Sequence, residues 1–289
     1  MSTKNILIVD DSALMRRVLC DIINSDSNFT ATDFCKDGLE AYEQLKKKSY
    51  DGVVLDVNMP RMDGLELLDR LQKENIKATV VMVSTLTTKD AEVTILAMER
   101  GAIDFVTKPN NIIDAKSDDF KDRLLAVLSA VLKTKTYVPK VRGVLPKPKT
   151  NVQIQRVSAP SKGENRLVAL ACSTGGPKAL QSVIPYLPKN MNAPMVLVQH
   201  MPAGFTKSMA ERLNEISEIE VKEAESGEVL KKGVVYIAPG GKHMEVKKNT
   251  DGSHSIAFND MPSIGGLKPC ANLTYDSLIK SGYDEIVCY

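Results

Sequence analysis

Short apolar segments alternate with helical segments over the first 109 residues, and this alternation restricts the fold more than any other feature of the sequence. Each apolar segment suits a buried strand, and the segments between them space their apolar residues as an amphipathic helix does. This order predicts an α/β fold, an open parallel sheet with helices on both faces. The predicted strands are 5–10, 29–35, 52–57, 78–84 and 104–108.

Polar residues end the predicted strands or follow them directly: Asp10, Asp11, Asp56, Ser84 and Lys108. Because the carboxyl ends of parallel strands meet at one edge of a sheet, we expect these side chains to converge. Three neighbouring carboxylates repel one another unless a cation lies among them, and Mg²⁺ is the hard ion that prefers carboxylate oxygens. Ser84 and Lys108 could then hold a phosphoryl group on Asp56. The alternative is that the acids are surface residues that cap helices.

The same residues, together with Asn58-Met59-Pro60 and Asp63-Gly64, resemble the receiver domain of two-component response regulators. The resemblance implies a flavodoxin-like domain with a parallel five-stranded sheet, and Asp56 as the phospho-acceptor. It also implies a cis peptide at Lys108–Pro109. The implied Mg²⁺ ligands are Asp10, Asp11, Asp56 and the Asn58 carbonyl; the implied phosphate switch is Ser84, Phe105 and Lys108.

A basic segment separates this region from the rest of the chain. Residues 118–132 predict an amphipathic helix, and from 133 to 162 there is no Asp or Glu while proline recurs. Such a segment has little to bury and is stiffened by proline, which is typical of a linker. We therefore predict a receiver domain at 1–132, a linker at 133–164 and a second domain at 165–289.

The second domain begins with a strand that breaks into a glycine-rich turn. Residues 167–172 are apolar, Ser173 follows, and a helix (178–187) leads to a second apolar strand that ends at His200. Strand, helix and strand in this order predict neighbouring parallel strands, so Ser173 and His200 should share one sheet edge. A neutral imidazole can activate a serine hydroxyl, and the Gly175 and Gly176 amides can face an oxyanion. Alternatively, Ser173 or Thr174 merely caps the helix.

Further elements are predicted from the same patterns: a helix at 205–216, strands at 233–239 and 284–289, and a helix at 271–280. We expect His243 and His254 on the surface of a hairpin rather than as a base or metal ligand. Cys172 competes with Ser173 as the nucleophile. Alternation of side chains along a strand favours Ser173, because adjacent residues point to opposite faces.

The stretches 172–177 (Cys-Ser-Thr-Gly-Gly-Pro), 199–202 (Gln-His-Met-Pro) and 238–243 (Ala-Pro-Gly-Gly-Lys-His) resemble the catalytic half of chemotaxis receptor protein-glutamate methylesterases. The resemblance implies a Rossmann-like doubly wound α/β domain without a cofactor, with Ser173 as nucleophile and His200 as base. Thr174, Gly175 and Gly176 would bind the oxyanion or the substrate. The implied substrates are glutamate methyl esters, and sometimes glutamine amides, of methyl-accepting chemoreceptors. A chemotaxis histidine kinase would be the phospho-donor, and the receiver would occlude the esterase site until phosphorylated.

Several positions depart from that family. Cys172 stands where alanine is common, and Lys268, followed by Pro269, where arginine is usual. The third triad member in the family is an aspartate in a Gly-Met-Gly-x-Asp-Gly stretch, which this sequence does not contain. We therefore expect a domain that lacks its last elements and a triad aspartate beyond residue 289. The alternative function is a phosphorylation-driven binding protein whose truncated effector domain is catalytically dead.

Composition excludes other classes of function. A net charge of +2 is too small to argue for nucleic-acid binding, and no apolar run is long enough to enter a membrane. Five scattered cysteines predict neither a disulfide framework nor a zinc site. We expect a cytoplasmic protein with reduced thiols.

Overall fold

The computed structural model describes residues 3–109, 118–133 and 165–289. These residues form two compact units. The first contains the described residues up to 133 together with 173–183, and the second contains 165–172 and 184–289. Apart from Lys133, the predicted linker lies outside the described residues. The proposed domain boundaries stay a prediction.

The first unit is built on a parallel sheet of five strands in the order β2-β1-β3-β4-β5. This is the flavodoxin-like order, in which the direction of winding reverses beside β1. The predicted fold class is confirmed. The strands are β1 Lys4–Val9, β2 Phe29–Cys35, β3 Gly52–Asp56, β4 Val80–Ser84 and β5 Asp104–Thr107; the helices are α1 Ala13–Asn24, α2 Gly38–Lys47, α3 Gly64–Lys73, α4 Thr88–Glu99, α5 Asp118–Val131 and α6 Gly176–Val183.

Four helices of the first unit begin at a side-chain cap placed a few residues after a strand. Ser12, Asp37, Asp63 and Thr87 each accept a hydrogen bond from a backbone amide in the first turn of α1, α2, α3 and α4, respectively. Such caps satisfy amide donors that the helix leaves unpaired. They fix the short loops at the sheet edge where the polar residues lie.

Gly64 allows the loop after β3 to lie close to the strand. A Cβ atom at this position would stand 2.5 Å from the Asp56 carbonyl oxygen, so a side chain cannot be accommodated without moving the backbone. The Gly64 amide donates to the Val57 carbonyl at 2.9 Å. The glycine therefore keeps the residues after Asp56 folded tightly over the sheet edge.

The second unit contains a parallel sheet in the order β12-β6-β7-β9-β8 and a separate antiparallel hairpin, β10-β11. From β6 the chain first adds β7 on one side and later adds β12 on the other, so β6 is a topological switch point. The strands are β6 Arg166–Cys172, β7 Met195–Gln199, β8 Glu220–Glu223, β9 Val234–Ile237, β10 His243–Lys248, β11 His254–Asn259 and β12 Glu285–Cys288; the helices are a 3₁₀ turn Ile184–Tyr186, α7 Phe205–Ile216 and α8 Ala271–Ile279.

The expectation that His243 and His254 lie on the hairpin surface was wrong, because both are buried. His243 Nδ1 accepts the Cys270 amide at 3.1 Å, and its Nε2 lies 3.2 Å from the Pro262 carbonyl. His254 Nε2 contacts the Ser281 carbonyl at 2.8 Å, and its ring stacks on Tyr283. Both imidazole rings thus form hydrogen bonds with backbone groups, which offsets the cost of burying them.

The cis peptide among the described residues is Lys268–Pro269, so the cis bond expected at Lys108–Pro109 is not present. No described helix combines the length and the apolar character that crossing a membrane requires.

Candidate functional site

The strand ends of the first sheet bring the predicted polar residues together. Val9 of β1 pairs with Leu55 of β3, so Asp10 and Asp56 follow side by side. Ser84 pairs with Thr107, which places Lys108 directly after the end of β5. The Lys108 amide donates to the Ser84 carbonyl at 2.6 Å and anchors this lysine to β4.

Lys108 joins two carboxylates at the centre of this cluster. Its Nζ lies 2.8 Å from Asp10 Oδ2 and 2.8 Å from Asp56 Oδ2. The other oxygens of these carboxylates accept backbone amides: Ser12 to Asp10 and Val57 to Asp56, at 2.9 and 2.8 Å. Asp10 and Asp56 are buried, whereas Asp11 is exposed.

Burial is the main cause that raises the pKa of Asp56 to about 6. Lys108 opposes this rise and the Asp10 charge adds to it. Burial also acts to lower the pKa of Lys108, but Asp56 and Asp10 outweigh it, so that this pKa lies above its ordinary value. The cluster thus holds a permanently charged ammonium beside a carboxylate that is costly to ionise.

The oxygen donors of this cluster fit a hard divalent cation. One carboxylate oxygen from each of Asp10, Asp11 and Asp56 lies within 4.8 Å of the others. A single lysine does not balance three carboxylates, and carboxylate and water oxygens are the ligands that Mg²⁺ takes. The predicted acidic cluster is therefore present.

Ser84 belongs to the same edge but faces α4. Ser84 Oγ lies 2.9 Å from Thr94 Oγ1 and 3.5 Å from the Asp90 carbonyl oxygen. Phe105, the other predicted switch residue, is buried.

The loop from Val57 to Asp63, which we call the acceptor loop, is held by two carboxylates that the sequence did not single out as functional. Arg61 Nε donates to Asp37 Oδ2 at 2.7 Å, and Asn58 Nδ2 donates to Asp90 Oδ1 at 2.7 Å. These pairs are separated by 24 and 32 positions, so no local pattern reveals them. Arg61 also has a positive φ of 63°, which is uncommon for a residue with a side chain.

The second sheet places Ser173 and His200 just beyond two paired strands. Cys172 pairs with Gln199 in parallel register, and the His200 amide donates to the Cys172 carbonyl at 3.2 Å. Ser173 is the next residue along the chain and is exposed; His200 is half-buried. This edge lies beside the switch strand β6, where open α/β sheets bind ligands.

The glycine amides after Ser173 are not free, contrary to the expectation. Gly176 N–H donates to the Ser173 carbonyl at 2.8 Å, and Gly175 N–H donates to Asp104 Oδ2 at 2.9 Å. Gly175 has a φ of +75°, a conformation that favours glycine. Thr174 lies exposed in the same turn.

Burial raises the pKa of the Cys172 thiol. A thiol that stays protonated is a poor nucleophile, so its environment supports Ser173 over Cys172.

The loop after His200 rests on the turn that follows β9. A Cβ atom on Gly240 would lie 2.3 Å from the Pro202 carbonyl carbon, so only glycine permits this contact. Thr206 Oγ1 accepts the Gly240 amide at 2.9 Å and donates to Glu223 Oε1 at 2.6 Å. The stretches 199–202 and 238–243, which are far apart in sequence, thus support one another next to His200.

Comparison with known proteins matches both halves of the chain. The family model for the response regulator receiver domain matches residues 6–116, and that for CheB methylesterase matches residues 168–288. The protein-glutamate methylesterase/protein-glutamine glutaminase of Pyrococcus abyssi is 43% identical over 267 residues, which cover 92% of this chain and 71% of that protein. The protein of the same name from Bacillus subtilis is 41% identical over 97% of this chain and 79% of its own length. A Syntrophomonas wolfei relative is 40% identical over 100% of this chain and 82% of its own.

Proposed function

The chain belongs to the protein-glutamate methylesterase/protein-glutamine glutaminase family, and we propose that it is a phosphorylation-regulated serine hydrolase that removes methyl esters from chemoreceptor glutamates. The observation that carries the proposal is the pairing of Cys172 with Gln199, because it sets Ser173 and His200 beyond adjacent strand ends. The enzyme names of the relatives favour this function over a catalytically dead binding protein.

In the proposed reaction, Ser173 Oγ attacks the ester carbonyl while His200 accepts the hydroxyl proton. His200 then gives this proton to the departing methanol, and Ser173 is left esterified to the glutamate side chain. Water, deprotonated by His200, hydrolyses this acyl-enzyme and restores the serine. A glutamine side chain would follow the same steps with ammonia as the leaving group.

Backbone donors of the turn after Ser173 would stabilise the oxyanion of both steps. Thr174, Gly175 and Gly176 are the candidates. Because Gly175 and Gly176 already donate to other oxygens, either amide can serve only after its present bond opens. The identity of a third triad residue stays a prediction.

Asp56 would accept a phosphoryl group from a chemotaxis histidine kinase. Its carboxylate would attack the phosphorus of the kinase's phosphohistidine, the P–N bond would break and the kinase histidine would leave; Lys108 lies close enough to contact the transferred oxygens. When bound, Mg²⁺ would offset the charge of the phosphoryl group, and Asp10, Asp11, Asp56 and the Asn58 carbonyl would hold it. Ser84 and Phe105 would respond to the phosphoryl group. Since the proposed substrate helices are cytoplasmic, the enzyme would act there.

The test is methanol release from methylated cytoplasmic fragments of a chemoreceptor, measured with the purified protein. We expect release, and a faster release after treatment with acetyl phosphate and Mg²⁺. The Asp56→Asn variant should lose both the acid-labile phosphoryl group and the acceleration. If the intact protein binds the fragments but releases no methanol, the binding alternative replaces the enzyme.

A further inference from the structure

The acceptor loop is fixed from two sides by buried carboxylates, each on a different neighbouring segment. Asp37, at the start of α2, binds Arg61 near one end of the loop. Asp90, in the first turn of α4, binds Asn58 near the other end. The side chains of Asp37 and Asp90 are therefore two clamps on the residues that follow Asp56.

The Asp90 clamp connects more than two residues. Asp90 Oδ1 accepts a hydrogen bond from the side-chain amide of Asn58. Asp90 Oδ2 accepts hydrogen bonds from the hydroxyl groups of Thr85 and Thr87, the latter at 2.5 Å. Burial acts to raise the pKa of Asp90, but the hydrogen bonds from Thr85, Thr87 and Asn58 outweigh it and lower that pKa. A buried carboxylate with these donors is a fixed junction between the acceptor loop and residues 85–87, which we call the switch loop.

Ser84 stands directly before the switch loop and is also tied to α4. Thr94 Oγ1 donates to the Asp90 carbonyl at 2.6 Å and lies 2.9 Å from Ser84 Oγ. To reach a phosphoryl group on Asp56, Ser84 must turn away from α4 and draw Thr85 with it. That movement pulls against the Thr85–Asp90 bond, and through Asp90 against Asn58.

We propose that Asp90 is a positioning residue that couples the acceptor loop to the switch loop and holds both in the arrangement that precedes phosphorylation. This inference rests on the proposed phosphorylation of Asp56. The described hydrogen bonds of the Asp37 side chain go to Arg61 and to the backbone amide of Glu40. None of these bonds reaches the switch loop. Asp37 therefore supplies the matched control.

The coupling can be tested without any phosphoryl donor, by hydrogen exchange of the unphosphorylated chain. The reporters are the Met62 and Gly64 amides, which donate within the acceptor loop to Pro60 and Val57 carbonyls. Thr85→Val removes a hydroxyl from the switch loop, and we expect it to speed exchange of both amides about threefold or more. If exchange rises only at residues 85–90, Asp90 does not couple the loops and the proposal is wrong.

The second test measures phosphoryl incorporation from acetyl phosphate with Mg²⁺. The Asp90 hydrogen bonds favour the unphosphorylated arrangement of the two loops, so fewer molecules are in an arrangement that can accept a phosphoryl group. Asp90→Ala should therefore raise the initial rate of phosphoryl incorporation about fivefold. Asp90→Asn keeps one oxygen for the Asn58 amide and should give an intermediate rate. Asp37→Asn can still cap α2 but loses charge opposite Arg61, so it should lower stability without raising the rate.

The outcomes separate the two proposals. An unchanged or lower rate in folded Asp90→Ala, or an equal rise in Asp37→Asn, overturns the role of Asp90. If wild type incorporates no label, the proposed phosphorylation of Asp56 fails, and the hydrogen-exchange result alone decides whether Asp90 couples the two loops.

Discussion

The carboxyl edges of the two parallel sheets share a topology but differ in charge. In the first sheet, the strand ends carry Asp10, Asp56 and Lys108, which are buried or nearly so and lie in direct ion pairs. In the second sheet, the strand ends lead to Ser173 and His200, which carry no formal charge when the imidazole is neutral. Both edges lie where the strand order reverses.

This difference shows that the sheet supplies the location and the residues after the strands supply the chemistry. A charged edge can bind a cation and take up a phosphoryl group. When no cation is bound, however, its carboxylates repel one another. A neutral edge suits an uncharged ester, whose negative charge appears only during the reaction. The first edge should therefore respond to pH and ions, and the second to the loss of one hydroxyl.

The largest expected effect tests the neutral edge. Ser173→Ala removes the proposed nucleophile, and we expect methanol release by the protein to fall about 10⁴-fold. The matched variant is Cys172→Ala, one residue away, whose thiol has a raised pKa and should matter little. Retained activity in Ser173→Ala with loss in Cys172→Ala would assign the reaction to the thiol instead.

Strands β3 and β4 of the first sheet could be predicted because all of their residues are buried and most are apolar. The β8 strand could not, because three of its four residues are charged and only Val221 is buried. An edge strand of this kind has no continuous apolar run. The convergence of Asp10, Asp56 and Lys108 followed from strand order alone.

Contacts between distant loops could not be predicted. The bond between Asn58 and Asp90 and the bonds of His243 join residues whose spacing has no helical or strand period. The burial of His243 could not be predicted, because the sequence of a hairpin does not indicate backbone partners 19 and 27 positions away. Whether Gly176 offers a free amide likewise depends on the turn geometry rather than on composition.

The second prediction concerns how much the hydrogen bonds of a buried polar group in the second unit, His243, contribute to stability. His243→Leu leaves the Pro262 carbonyl and the Cys270 amide without their ring partners. Cys270 is buried, whereas Pro262 is exposed and its carbonyl can bond to water, so the loss of one buried hydrogen bond should lower the free energy of unfolding by about 1–3 kcal/mol. Urea denaturation, monitored by hydrogen exchange of the β10 amides, measures this loss of stability. Lys247→Ala on the exposed face of β10 is the control and should change stability by less than about 0.5 kcal/mol; an equally small change in His243→Leu would show that the ring's bonds contribute little.

The smallest expected effect concerns the cost of ionising the buried Asp56 at the charged edge. The pKa of Asp56 is about 6 in the folded chain, against 3.8 for an ordinary aspartate. Between these values the folded chain binds the proton more strongly than the unfolded chain does, so stability from this group is present below pH 4 and lost as the pH rises through 6. Asp56→Asn cannot ionise, and in Mg²⁺-free buffer at pH 7.5 it should raise the free energy of unfolding by about 1–2 kcal/mol. The gain should disappear near pH 4, and Mg²⁺ should reduce it by stabilising the wild type. Urea denaturation at several pH values, monitored by exchange of the β3 amides, measures it. Asp11→Asn, on an exposed carboxylate of the same cluster, should give a smaller gain; a gain in Asp56→Asn that is independent of pH would mean that ionisation of Asp56 is not what destabilises this edge.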